Sequence, residues 1–166
     1  MSPGTVDVFL DQTTMSGATS ALDATITDWN SRLTGTGITF SRVSSSCGSG
    51  AHCIEVAPAS LGTCGMASWG TPDPTTGAHT GGLLLQVHST WSTFSADSLQ
   101  RTFAHELGHF LGLHNYTSAC GSNDAAMQDT FVCSPTSAPL KTATINDYLP
   151  VGNSTYGGGP TVSCAF

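Results

Sequence analysis

Positive charge is what this sequence has least of. Arg32, Arg42, Arg101 and Lys141 are its only cations, and against eleven acidic residues they leave a net charge of −7. Nucleic-acid binding needs clustered basic side chains that displace counterions, so that class is excluded. Electrostatic attachment to an anionic membrane is excluded for the same reason. No apolar run approaches the ~20 residues of a membrane-spanning helix. Charge of either sign is scarce, at 9% of residues against about 25% in an average soluble chain. Ser, Thr and Gly stand where Lys and Glu usually cover a surface, and glutamate occurs only at positions 55 and 106. No C-x-x-C pair is present to seed a structural zinc site.

The cysteines that are present number six: Cys47, Cys53, Cys64, Cys120, Cys133 and Cys164. An even count in a lysine-poor chain reads as three disulfides and an oxidising, extracellular compartment. Local pairing suggests Cys47–Cys53 and Cys120–Cys133, leaving Cys64–Cys164 to anchor the tail. Met1-Ser2-Pro3-Gly4 is polar and reads as a processed start rather than a secretory signal. At 166 residues the chain fits one domain, 1–166, with enough length for a substantial core.

The chemistry concentrates in His105-Glu106-Leu107-Gly108-His109-Phe110-Leu111-Gly112-Leu113-His114-Asn115. On a helix, His105 and His109 stand on one face and can grip a single metal ion. Neutral imidazole suits Zn²⁺, and two such ligands leave room for a third and for a water. Glu106, adjacent in sequence, can serve that water as general base. Chance matching of His-Glu-x-x-His in this composition is expected in about 0.3% of such chains, so accident is a poor explanation. Gly112 lets the chain leave the helix in the left-handed conformation.

With that glycine the stretch resembles the metzincin zinc peptidases, whose pattern is H-E-x-x-H-x-x-G-x-x-H followed by a methionine turn. His105, Glu106, His109 and Gly112 fall on it directly. The eleventh position, a histidine in the pattern, is Asn115 here, and His114 stands one place early. The small snapalysin-like branch carries Asp there. His114 has the better donor and Asn115 the right register, so His105, His109 and His114, or Asn115 in its place, form the expected ligand set. His88, Asp124 and Asp129 come next as candidates, although His88 at a strand end reads first as an ordinary cleft residue. The resemblance also implies that Met127 is the methionine of the turn and that Asp129 to Val132 line a substrate pocket. Some relatives carry a stabilising tyrosine two places after that methionine. Asp129 stands there in this chain, and no such role is assigned.

The remaining pattern fits an α+β fold: a small mixed twisted sheet, an active-site helix and two further helices. Strands are expected over residues 5–10, 37–43, 52–56 and 82–87, with a short extended piece at 67–70 and an irregular loop at 71–80. Leu22, Ile26, Trp29 and Leu33 mark an amphipathic helix over about 17–33. The active-site helix is capped by Ser95 or Asp97, and Leu99, Phe103, Leu107 and Phe110 form its apolar side. Leu107 lies about 200° around from His105, so core face and metal face should point apart. A last helix is expected at about 138–149. The metzincin resemblance implies that the stretch from Gly82 to Val87 is a sheet edge along which extended peptide pairs.

Together these readings describe a secreted, monomeric zinc endopeptidase acting through a metal-activated water, with protein or peptide as its partner. Two other classes stay open: a catalytically impaired zinc-binding peptide-recognition module, and a disulfide-stapled structural domain.

Overall fold

A computed structural model describes residues 4–47, 52–72, 79–80, 82–113 and 127. The chain opens with β1 (Gly4–Leu10), the short helix α1 (Gln12–Met15) and a 3-10 turn (Ser16–Ala18). Then come α2 (Thr19–Arg32), β2 (Ile38–Val43), β3 (Cys53–Ala59) and β4 (Gly65–Ser68). The two-residue strands β5 (Thr71–Pro72) and β6 (His79–Thr80) pair with each other inside the stretch expected to be irregular. After them stand β7 (Leu83–His88), a 3-10 turn (Trp91–Thr93) and α3 (Ala96–Phe110).

Five strands form one mixed sheet in the order β2-β1-β3-β7-β4. β1, β2, β3 and β7 run parallel, and β4 lies antiparallel on β7. Side chains alternate faces along a strand, and the register lines the apolar positions up across the sheet. Val8 is opposite Ile54, which is opposite Leu83; Leu10 is opposite Val56, which is opposite Leu85. This buried face packs with residues of α2 and α3 into a single core. The arrangement is the metzincin-like α+β fold, with a mixed sheet and two long helices among the described residues.

α2 lies where its period places it, with Leu22, Ile26 and Trp29 buried. It starts at Thr19 because α1 and the 3-10 turn take up the preceding residues. Asp11 caps α1, its carboxylate accepting the Thr13 amide at 2.9 Å. α2 also closes the sheet's first edge. The Asn30 side chain donates to the Phe40 carbonyl and accepts the Phe40 amide, both at 2.8 Å. The amide thus acts as a one-residue strand that occupies exposed ladder groups on β2.

One expectation is corrected by the sheet order. The stretch from Gly82 to Val87 forms the interior strand β7, hydrogen-bonded to β3 on one side and β4 on the other. The edge is β4. The continuous run Leu83-Leu84-Leu85 is the composition of a strand with neighbours on both sides, and both of its ladders are already filled.

Cys47 and Cys53 form a disulfide across the loop before β3, as the spacing suggested. Cys64 is also disulfide-bonded, to a partner outside the described residues. Cys120, Cys133 and Cys164, and with them the Cys120–Cys133 and Cys64–Cys164 pairings, lie outside the described residues, as does the expected helix at 138–149. Among the described residues no helix is long and apolar enough to cross a membrane.

Candidate active site

α3 begins at Ser95, whose hydroxyl accepts the Ser98 amide at 3.1 Å. Asp97 sits in the first turn, where a negative charge meets the positive end of the helix dipole. Leu99, Phe103, Leu107 and Phe110 are all buried against the core. The helix is, however, enclosed on more than its core side. His105 is 6% exposed and Glu106 4% exposed, and Thr102 is fully buried. Core and site faces do point apart, but β4 closes over the Glu106 flank.

The two histidines meet as the spacing requires. Their rings stand nearly perpendicular, with centroids 4.7 Å apart, and the Nε2 atoms are 3.1 Å apart. His109 Nδ1 lies 2.8 Å from the Leu113 carbonyl. A carbonyl can only accept, so Nδ1 carries the proton and Nε2 keeps its lone pair toward His105. An outer hydrogen bond of this kind is what orients an imidazole for metal binding.

The Leu113 carbonyl is brought there by the helix end. Gly112 adopts φ 87°, its amide donates to the His109 carbonyl at 2.8 Å, and the Leu113 amide donates to the Gly108 carbonyl at 3.1 Å. That pair of bonds is a Schellman motif. The same glycine that ends the helix therefore turns the chain back to fix His109.

Glu106 lies under β4. Its carboxylate accepts the backbone N–H of Ala67, and burial pushes its pKa up to about 7, against the weaker downward pull of that hydrogen bond. β4 can approach because Gly65 has no side chain: a Cβ there would come within 2.8 Å of Glu106 Oε1 and of Thr102 Cγ2. Gly108 plays the matching part on the other flank, where a Cβ would collide with Met127 Sδ and touch Trp29. At 100° per residue Gly108 and Glu106 lie about 160° apart, so Met127 and β4 hold the histidine face from opposite sides. Met127 is fully buried.

The residues present suit a zinc ion. With Zn–N bonds of about 2.0–2.1 Å, tetrahedral geometry sets ligand nitrogens about 3.3 Å apart, close to the 3.1 Å between these Nε2 atoms. Among the described residues no cluster of three His, Cys, Asp or Glu forms. His114 and Asn115, Asp124 and Asp129 lie outside the described residues. His88, the last residue of β7, accepts the Thr90 amide at 3.1 Å through Nδ1 and so braces the turn that follows.

Gly65, Ala67 and Trp69 were not read from the sequence as site residues, although 67–70 was expected to be extended. Trp69 packs edge-on against Phe110, with centroids 5.7 Å apart, and against His109 at 6.5 Å. The readable signal was the glycine at the head of a short strand, which often marks close backbone approach.

Residues 5–131 match a family model described as dual-action HEIGH metallo-peptidase. The quintet spelled in that description differs from the one in this chain only at its third place, which is Leu107 here. A search of curated proteins finds no match.

Proposed function

We propose, from the premise that the chain belongs to the dual-action HEIGH metallo-peptidase family, that it is a secreted zinc-dependent endopeptidase of metzincin type. One observation carries the reading: two histidine Nε2 atoms 3.1 Å apart, beside a glutamate buried between α3 and β4. Zinc, when bound, supplies a Lewis acid and an acidified water. His105 and His109 hold it from one helix face, with His114 as third ligand on donor chemistry. Glu106 takes the proton of the attacking water and delivers it to the leaving amine. The Ala67 amide keeps its carboxylate aimed while it does so. Extended peptide is held along β4, the sheet's antiparallel edge, by main-chain hydrogen bonds. The bonded cysteines Cys47, Cys53 and Cys64 support an oxidising compartment.

The test is zinc content after exhaustive dialysis, followed by casein cleavage with and without chelator. About one zinc per chain and chelator-sensitive cleavage are expected. Zinc without cleavage would replace this reading with that of a peptide-recognition module, and absence of zinc would leave a stapled structural domain. Comparing His114→Ala with Asn115→Ala decides the third ligand: the substitution that lowers zinc affinity by orders of magnitude names it.

A further inference from the structure

Lysine is the usual guard of an exposed sheet edge, and this chain has only Lys141. Among the described residues β2 is nevertheless an end strand of the five-stranded sheet. Its sequence, Ile38-Thr39-Phe40-Ser41-Arg42-Val43, alternates apolar and polar residues, with no proline and one charge. An uncovered strand of that composition is a template for pairing with another chain.

Successive residues of a strand present their backbone groups to opposite sides. The Gly37 carbonyl accepts the Gly4 amide, so Gly37, Thr39, Ser41 and Val43 address β1, while Ile38, Phe40 and Arg42 face outward. All three outward positions are engaged from within the chain. The Ile38 amide donates to the Thr36 hydroxyl at 3.2 Å. The Phe40 amide and carbonyl both bond the Asn30 side chain, at 2.8 Å each. The Arg42 guanidinium pairs with Asp23 on α2, which fixes a charged side chain near the end of the strand.

The turn between α2 and β2 brings these groups together. Thr36 donates to the Leu33 carbonyl through its amide at 2.9 Å and its hydroxyl at 2.7 Å. Gly35 and Gly37 take φ of 86° and 78°, so β2 runs back along the last turn of α2 and Phe40 comes beside Asn30. A primary amide offers both donors and an acceptor. An antiparallel neighbour offers one of each to the residue opposite it in a hydrogen-bonded pair. Asn30 thus stands where Phe40 of a second copy would stand if two β2 strands met about a two-fold axis. Such a pairing is the closed, isologous way for two identical edges to meet.

We infer that Asn30 is an edge plug, which keeps β2 from pairing with β2 of a second copy of this chain and so keeps the protein monomeric. The plug works by occupation. A neighbouring strand gains the two Phe40 bonds only by displacing two that already exist. Without the plug, both Phe40 groups turn to water in the dilute chain and to a partner strand in the concentrated one.

The test is sedimentation equilibrium from micromolar to millimolar concentration, with hydrogen exchange of the Phe40 amide read at both ends of the range. The proteins are the full chain as wild type, Asn30→Ala, Asn30→Ser, Asn30→Ala with Thr39→Lys, and Ile26→Val. Wild type is expected to stay monomeric, with Phe40 exchange independent of concentration. Asn30→Ala and Asn30→Ser, whose side chains cannot reach both Phe40 groups, should approach the mass of a dimer at high concentration. Their Phe40 amide should exchange about tenfold or more slowly there than in dilute solution. Thr39→Lys puts a lysine on an exposed position of the strand and should restore the monomer. Ile26→Val only weakens the core beneath the same helix and should stay monomeric.

A monomeric Asn30→Ala overturns the inference, since Asn30 would then do no more than tie α2 to β2. Association that leaves Phe40 exchange unchanged, or equal association of Ile26→Val, overturns it too, because the cause would be general loss of stability. So does a dimer that Thr39→Lys leaves intact, which would put the contact elsewhere. If neither Asn30 variant folds, Asn30 is a structural tie and the plug falls with it.

Discussion

α2 and α3 pack against each other over the same sheet face, yet they are buried in different ways. α2 buries one stripe, Ala21, Leu22, Thr25, Ile26 and Trp29, and leaves its other face polar and open. α3 buries that kind of stripe and also Arg101, Thr102, His105 and Glu106. For Thr102 and Glu106 the cause is β4, whose Gly65 lies directly over them. Burying polar groups opposes stability unless they are partnered. Thr102 donates to the Ser98 carbonyl and Glu106 accepts the Ala67 amide. α3 thus carries a core stripe and the candidate site together, where α2 carries a core stripe alone. The links between the two helices run both ways, since Gln100 Nε2 on α3 donates to the Asp28 carboxylate on α2 at 3.1 Å. Trp29 Nε1 donates to the Ala104 carbonyl at 3.2 Å, and Thr25 donates to the Gln100 carbonyl at 3.2 Å.

Four substitutions or conditions test the contrast. Glu106→Gln should give the largest effect, a 10²–10⁴-fold loss of casein cleavage with zinc content and fold retained. Activity near wild type in that variant would remove Glu106 from the mechanism. On the other helix, Trp29→Ala should cost about 3–5 kcal/mol in denaturant unfolding, as large core truncations do. If the folded fraction still binds zinc stoichiometrically, the division of labour between the helices holds. A loss of zinc binding larger than the loss of folded protein would break it.

The third test concerns pH. Burial raises Glu106 to about 7 from an ordinary 4.5, so in the metal-free protein the folded state holds this proton more tightly than the unfolded state. Stability from this group is fully present below pH 4.5 and is lost as pH rises through about 7. Thermal melts of metal-free wild type should therefore fall relative to Glu106→Gln across that window, by on the order of 3 kcal/mol. Parallel melting curves would show that the carboxyl is better solvated than its place under β4 implies. Saturating zinc should flatten the difference, since a nearby cation favours the carboxylate.

The smallest effect is expected from Gly65→Ala, which puts a methyl group against Glu106 and Thr102. Overpacking of this kind costs ~1–3 kcal/mol, and displacing Glu106 should lower cleavage while zinc content stays unchanged. Gly62→Ala is the control, because nothing lies within 4 Å of a Cβ there. Equal behaviour of the two variants would mean that β4 does not press on α3.

Much of this was written in local pattern. The period of Leu22, Ile26 and Trp29 placed α2, and alternation placed β1, β2 and β3 to within a few residues of their observed ends. The spacing of His105 and His109 put two nitrogens on one helix face, and Gly112 ended that helix with the positive φ only glycine adopts easily. Among the described residues the sheet edge was misplaced, β4 begins two residues before the expected extended piece, and β5 and β6 pair within a stretch expected to be irregular. Strand pattern tells which face is apolar, but it does not tell which strands will be neighbours.

What the sequence determined alone, then, was whatever depends on residues within about one turn or one strand of each other: helix face, strand face, cap, and the Cys47–Cys53 bridge. Tertiary structure decided what depends on distant segments meeting. It set β4 on the outside of β7, brought Gly65 and Ala67 onto Glu106, placed Met127 against Gly108 and Trp69 beside His109. These contacts join residues some 20 to 40 positions apart, and periodicity carries no signal over that range. The raised pKa of Glu106 belongs to the same class, because it comes from burial beneath a strand whose sequence contains nothing acidic or basic.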